Sequence, residues 1–248
     1  MTVPQKHAPK RVLVFQHVAV EHPGIFRQFL ADDGHSYQVV ELDEGESIPA
    51  LEGFDALWVM GGPMDVWDEA EHPWLVAEKA AIREAVITRR MPYLGFCLGH
   101  QLLGEALGGQ VGRAHASEVG IMPVTVNAAG IASPYLQGLP AKFEVLQWHG
   151  AEVSVLPPGV QVLASSPCCA IQIMGVGSHA LSMQFHVEIT ATTVTDWNGI
   201  PAYASALESL LGSGAAETLK ARALQEMPVF NRYARQLYLN WKRTSGFG

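Results

Sequence analysis

The residues in this 248-residue sequence best suited to chemistry are Gly95-Phe96-Cys97-Leu98-Gly99-His100-Gln101, a cysteine with glycine two positions to either side. A thiolate attacks carbonyl carbon, and the covalent acyl intermediate divides one difficult displacement into two easier ones. Such a nucleophile needs a base that later returns its proton to the leaving group. Ten histidines compete for that role, and His186 is the best placed because Glu188 follows it by two residues. Side chains two apart on a strand share a face. Glu188 can therefore accept a hydrogen bond from the ring nitrogen that does not serve the cysteine. Taken alone, His186-x-Glu188 reads as a surface histidine beside a solvated carboxylate, and a lone cysteine reads as a packing residue. It is the combination that points to acyl transfer.

These side chains need elements to hold them. Residues 91–97 (MPYLGFC) predict a strand and residues 98–107 (LGHQLLGEAL) a helix that stops at Gly108-Gly109. A strand, a sharp turn and a helix make an elbow with Cys97 at its strained tip, and Gly95 and Gly99 let strand and helix approach closely. The positive end of the helix and its unpaired N–H groups favour a thiolate there. The N–H of Leu98 would face the oxyanion of a tetrahedral intermediate. Upstream, a predicted strand over residues 54–60 ends at Gly61-Gly62-Pro63. That tripeptide is either a plain strand-ending turn or a loop in which Gly62, or else Gly61, donates a second N–H to the oxyanion.

Further strands are predicted at residues 11–17 and 37–42, and helical spacing at 24–30 and 74–90. Alternating strands and helices with short connections imply a parallel sheet covered on both faces, with right-handed crossovers. The second half differs. Strand-like pieces occur at 120–127, 142–147, 152–156, 160–165, 170–174 and 181–188, and the chain from about Thr190 onward reads as helical. The aromatics of residues 227–241 read as core, and whether the helical tail covers the sheet or forms a docking face is open.

Gly95-x-Cys97-x-Gly99-x-Gln101 resembles the nucleophile motif of class I glutamine amidotransferases. Gly61-Gly62-Pro63 is similar to that family's oxyanion loop, and His186-x-Glu188 to its distal pair. One position departs: the family usually has proline between the histidine and the glutamate, and this chain has Val187. Valine adopts the same extended conformation, so the triad is expected to survive. The resemblance implies a flavodoxin-like α/β fold: a mostly parallel sheet with helices on both faces, a smaller set of antiparallel strands in the second half, and one domain over residues 1–248. It implies that Gln101, one helical turn after Cys97, holds the amino-acid end of the substrate. It also places Gln147-Trp148-His149-Gly150 against the pocket. His149 is expected near the site without a catalytic role, because no carboxylate lies two residues away on its strand. Residues 64–75 (MDVWDEAEHPWL) resemble the same stretch in stand-alone, GMP-synthase-like members, and are either a wall of the pocket or a solvated loop.

The activity implied is hydrolysis of the γ-amide of glutamine through a Cys97 thioester, with ammonia passing to an acceptor on a synthase subunit. The same motif also allows a stand-alone γ-glutamyl hydrolase or peptidase. Degenerate members of such folds serve as non-catalytic binding or regulatory subunits, against which the complete triad argues. The expected ligand is glutamine or a γ-glutamyl small molecule, with no cofactor. No metal is expected, because Cys168-Cys169 lack paired ligand spacing and read as packing residues. A phosphate loop of the G-x-x-x-x-G-K-[ST] type is absent from the sequence. Net charge is −8 with no basic stripe, which argues against nucleic acid. No apolar run is long enough to cross a bilayer. Three cysteines and a start without a secretion leader suggest a cytoplasmic protein. A homodimer is expected from base rates alone.

Overall fold

Short runs rich in β-branched and aromatic residues, bounded by turn-formers, make the first strands: β1 (Arg11–Gln16), β2 (Ser36–Glu41), β3 (Ala56–Val59) and β4 (Tyr93–Phe96). Between them lie α1 (Phe26–Asp32) and α2 (Trp74–Arg83), and α3 (Leu98–Ala106) follows β4 at once. The structure, a computed structural model, describes residues 8–248. The expectation that the first residues carry no secretion leader falls partly outside them. The second half contains β5 (Gln110–Val126), α4 (Ala128–Ala132), β6 (Lys142–Val155), β7 (Gln161–Ser165), β8 (Ile173–Val176) and β9 (Ala180–Met183). The chain closes with α5 (Thr193–Asn198), α6 (Pro201–Leu211) and α7 (Ala215–Ser245).

All these strands join one sheet in the order β2-β1-β3-β4-β9-β8-β7-β5-β6. The first five pair in parallel, and the remaining four add on antiparallel. This is the flavodoxin-like sheet expected, with its antiparallel extension. Parallel strands need helices on both faces, and they have them. On one face Phe26 of α1 packs with Trp58 of β3 and with Tyr238 and Trp241 of α7. Each such aromatic removes on the order of 200 Å² from water. The Trp241 indole N–H donates to the Tyr93 carbonyl at 2.8 Å. The aromatic tail is therefore core, and it covers the sheet. On the other face Leu13 and Leu57 meet Ile82 of α2 and Leu102 of α3. A third cluster, around Trp148, Trp197, Tyr203 and Leu207, fastens α5 and α6 to the β5–β6 pair.

Three elements differ from expectation. The helix expected over 74–90 widens into a π-turn at Glu84–Thr88. The pieces at 142–147 and 152–156 are one strand, and its partner β5 starts ten residues before the predicted 120. The cause is a register shift between Arg113 and Glu118, which breaks the alternation that marks a strand. The strand expected over 181–188 ends at Met183, and the residues beyond it continue outside the regular ladder. Among the described residues no helix is long and apolar enough to cross a membrane.

Candidate active site

Cys97 sits between β4 and α3 with φ 47° and ψ −103°. Among the described residues it shares positive φ with only one other non-glycine, Arg90. Backbone of this kind costs about 1 to 3 kcal/mol and persists only where its surroundings enforce it. Here they do. The Cys97 N–H donates to the Met183 carbonyl of β9 at 2.9 Å, and the Gly99 N–H donates to the Met60 carbonyl at 3.1 Å. A Cβ on Gly99 would lie 2.2 Å from the Val59 carbonyl oxygen, so only glycine lets α3 seat this close to β3. The Tyr93 hydroxyl donates to the Gly99 carbonyl at 2.7 Å and braces the turn.

His186 reaches this elbow from the segment after β9. It is anchored by its own N–H, which donates to the Leu146 carbonyl at 2.8 Å. His186 Nδ1 lies 2.6 Å from Glu188 Oε1, and both residues are buried. The other Glu188 oxygen accepts the Val187 N–H at 2.9 Å, a bond that proline at this position could not make. Trp197 packs edge-on against the imidazole at 4.5 Å. Burial opposes a charge on His186, but the neighbouring Glu188 carboxylate and Cys97 outweigh it, and the imidazole pKa is raised well above its ordinary value. His100, inside the nucleophile motif, is the opposite case. Burial pushes its pKa down to about 3. It stands 2.9 Å from Ser182 Oγ and 3.1 Å from the Ile171 carbonyl, as a neutral packing residue.

Cys97 opens into a cleft of about 160 Å³, lined also by Gly62, Met64, Gln101, His149 and Tyr203. Residues 25–196 match the family model described as glutamine amidotransferase class-I. The chain belongs to the class I glutamine amidotransferases.

The chain is 34% identical to the glutamine amidotransferase-like protein YfeJ of Salmonella typhimurium over 188 residues, 74% of this chain and 78% of that protein. It is 37% identical to the glutamine-hydrolysing GMP synthase of Thermomicrobium roseum over 64% of this chain, which spans only 28% of that longer protein. A solved glutamine amidotransferase from Thermotoga maritima superposes with a TM-score of 0.84 at 28% identity, covering 96% of this chain and 99% of that one. The class I amidotransferases hydrolyse glutamine to ammonia.

Other amidotransferase positions named from sequence fall as follows. Gly62 lines the cleft, whereas the Gly61 carbonyl turns away toward His17. The N–H groups of Leu98 and Gly62 have no backbone acceptor among the described residues. Gln101 lines the cleft and donates its amide to the Ala151 carbonyl at 3.1 Å and to Gln184 Oε1 at 3.2 Å. Met64 and Asp65 form part of the cleft wall, while Trp67 is exposed. Cys169 is buried, but Cys168 is exposed and is no packing residue.

Three features were missed. His149 does have a carboxylate partner: Glu118 Oε2 lies 3.1 Å from its Nε2, supplied by the neighbouring strand directly opposite. Gln184 donates to the Cys97 sulfur at 3.6 Å. Glu21 is buried beside His186 and Glu188 and accepts the Tyr203 hydroxyl at 2.7 Å. Glu21, His186 and Glu188 bring ligand atoms within 4.8 Å of one another. Glu188 already spends both oxygens on His186 and Val187, so the group serves a hydrogen-bond network. No sequence signal marks these residues, because each contact joins distant segments.

Two expected results follow from these charges. Burial raises the Glu21 pKa, and its Oε2 has no partner among the described residues. Glu21→Gln keeps an oxygen for Tyr203 and removes a desolvated charge beside Glu188. It should stabilise the fold by about 1 kcal/mol at neutral pH, read as a urea midpoint; a lower midpoint would contradict this. Second, His17 and His186 both have raised pKa values. A histidine that binds its proton more tightly when folded stabilises fully below the unfolded pKa, near 6.5. It loses that contribution as pH rises through the folded pKa. Histidines with lowered values, such as His100, finish titrating below that point. The urea midpoint should therefore fall as pH rises above about 6.5; a flat profile would refute both assignments.

Proposed function

We propose that the protein hydrolyses the γ-amide of glutamine through a γ-glutamyl thioester on Cys97. The observation that supports this best is the placement of His186 between Glu188 and a cysteine at the tip of a strained elbow. The Cys97 thiolate attacks the amide carbon. The N–H groups of Leu98 and Gly62 receive the oxyanion, in the manner of preorganised donors that act only on developing charge. The His186 imidazolium gives its proton to the departing nitrogen, and ammonia leaves. Water then attacks the thioester, His186 takes its proton, and glutamate and the thiolate are regenerated. Glu188 holds the imidazole in place and balances its charge. Gln101 has its amide N–H bonds spent on the protein, which leaves its carbonyl oxygen to accept from the substrate ammonium. His149 lines the pocket. The cleft is well below the roughly 300 Å³ of drug-sized pockets, a scale that suits one amino acid.

Ammonia then passes to an acceptor on a synthase subunit, as the T. roseum enzyme's name and greater length suggest. The described chain acts as one domain, in the cytoplasm. Rapid acid quench with glutamine, followed by mass spectrometry, tests the scheme. The expected product is a chain heavier by one γ-glutamyl group, and hydroxylamine should divert it to the hydroxamate. Glutamate release with neither adduct nor hydroxamate would overturn the thioester route. Running γ-glutamyl peptides beside glutamine identifies the preferred leaving group.

A further inference from the structure

A third buried histidine–glutamate pair, besides His186–Glu188 and His149–Glu118, takes no part in the scheme above. His17, just after β1, is fully buried. Its Nε2 lies 2.8 Å from Glu78 Oε1 of α2, and its Nδ1 lies 2.8 Å from the Gly61 carbonyl oxygen. A carbonyl can only accept, so Nδ1 carries the hydrogen and donates. Trp74 stacks on the ring at 5.5 Å and fixes its plane. Stability alone is a poor reason to bury such a pair, since well-packed apolar residues do as well or better.

Geometry supplies another reason. In a trans peptide the C=O and the next N–H point in opposite directions. Drawing the Gly61 carbonyl toward His17 therefore turns the Gly62 N–H the other way, and it is Gly62 that joins Cys97 in lining the cleft. Two successive glycines would otherwise let this peptide rotate freely. Packing also restrains the loop: a Cβ on Gly62 would lie 2.9 Å from both His17 Cβ and Leu98 Cδ2. We propose that His17, held by Glu78, is a positioning residue that locks the Gly61–Gly62 peptide so that the Gly62 N–H meets the oxyanion. This rests on the glutaminase reading and extends it to residues outside the triad.

The test compares His17→Asn, His17→Gln and His17→Ala by kcat and KM for glutamine, and by the rate of Cys97 alkylation with iodoacetamide. Asparagine sets an amide N–H near the place of Nδ1, so kcat should stay within about threefold of wild type. Glutamine reaches the place of Nε2 instead, toward Glu78, and kcat should fall about 100-fold, as on loss of an oxyanion donor. His17→Ala should match or exceed that loss. KM and the alkylation rate should change little, since neither needs the oxyanion donor. His17→Asn and His17→Gln decide the matter even if His17→Ala does not fold. Equal activity in those two, or alkylation falling in step with kcat, would overturn the proposal. Wild-type protein that releases no glutamate would instead overturn the glutaminase reading beneath it.

Discussion

Cys97→Ala is expected to cut glutamate release by about 10⁴-fold or more at saturating glutamine. Alanine leaves the cleft, the Leu98 and Gly62 donors and the buried His186–Glu188 pair in place. Only the atom that bonds to the substrate is gone, and the residue that remains is binding plus electrostatic stabilisation of a slow attack by water. The variant should still fold, because the bonds that hold the elbow are made by backbone: Cys97 N–H to Met183 and Gly99 N–H to Met60. It should not gain stability, because alanine at φ 47° keeps the strain. Cys97→Gly removes that strain and should exceed Cys97→Ala in stability by about 1 kcal/mol while being equally inactive. Initial rates of glutamate formation check the first part, and a rate within tenfold of wild type would end the Cys97 mechanism.

Glu188→Gln should lower kcat by about 10³ to 10⁴ with little change in KM. The reasoning turns on which atom of the new amide faces which partner. The Val187 N–H points at one carboxylate oxygen and His186 Nδ1 at the other. An amide satisfies the Val187 N–H with its oxygen, which leaves its NH₂ facing Nδ1. Nδ1 must then accept, so Nε2 carries the hydrogen and cannot take a proton. Turned the other way, the amide sets NH₂ against the Val187 N–H, two donors in a buried site. Neither arrangement stabilises an imidazolium. With proline in place of Val187 the second penalty would vanish, so this chain should tolerate the change worse than a relative with proline there. Steady-state kinetics on glutamine provide the check, and a kcat loss below tenfold would remove Glu188 from the mechanism.

Much of this site can be read from residue types and spacing. The elbow announces itself because glycines at 95 and 99 flank a cysteine where strand patterning gives way to helix. His186 and Glu188 are found together because they lie two positions apart, although the regular strand expected to carry them stops at Met183. What escaped are the contacts across the sheet or between helices that no motif links. Periodicity tells which face a residue occupies and is silent about its neighbour. Glu118 meets His149 only because a bulge resets the β5–β6 register. Glu21 meets Tyr203, and His17 meets Glu78, through helix packing over the sheet. Val187 looked like a neutral departure; its backbone N–H, which has no sequence signature, turned out to bind the Glu188 carboxylate.

The seam between β4 and β9 also has a temporal meaning. These strands are neighbours in the sheet, Tyr93 opposite Ala180 through Phe96 opposite Met183, yet all of β5 to β8 lies between them in the chain. Cys97 emerges from the ribosome with the first half, His186 only with the last third. Pairings this distant form late, because a long loop must close before any contact rewards it. A nascent or partly folded chain therefore holds Cys97 without His186 beside it until the final strand is inserted. The meeting of Cys97 and His186 is in this sense a proofreading mark: it reports that the whole sheet, and not merely its first half, has been assembled.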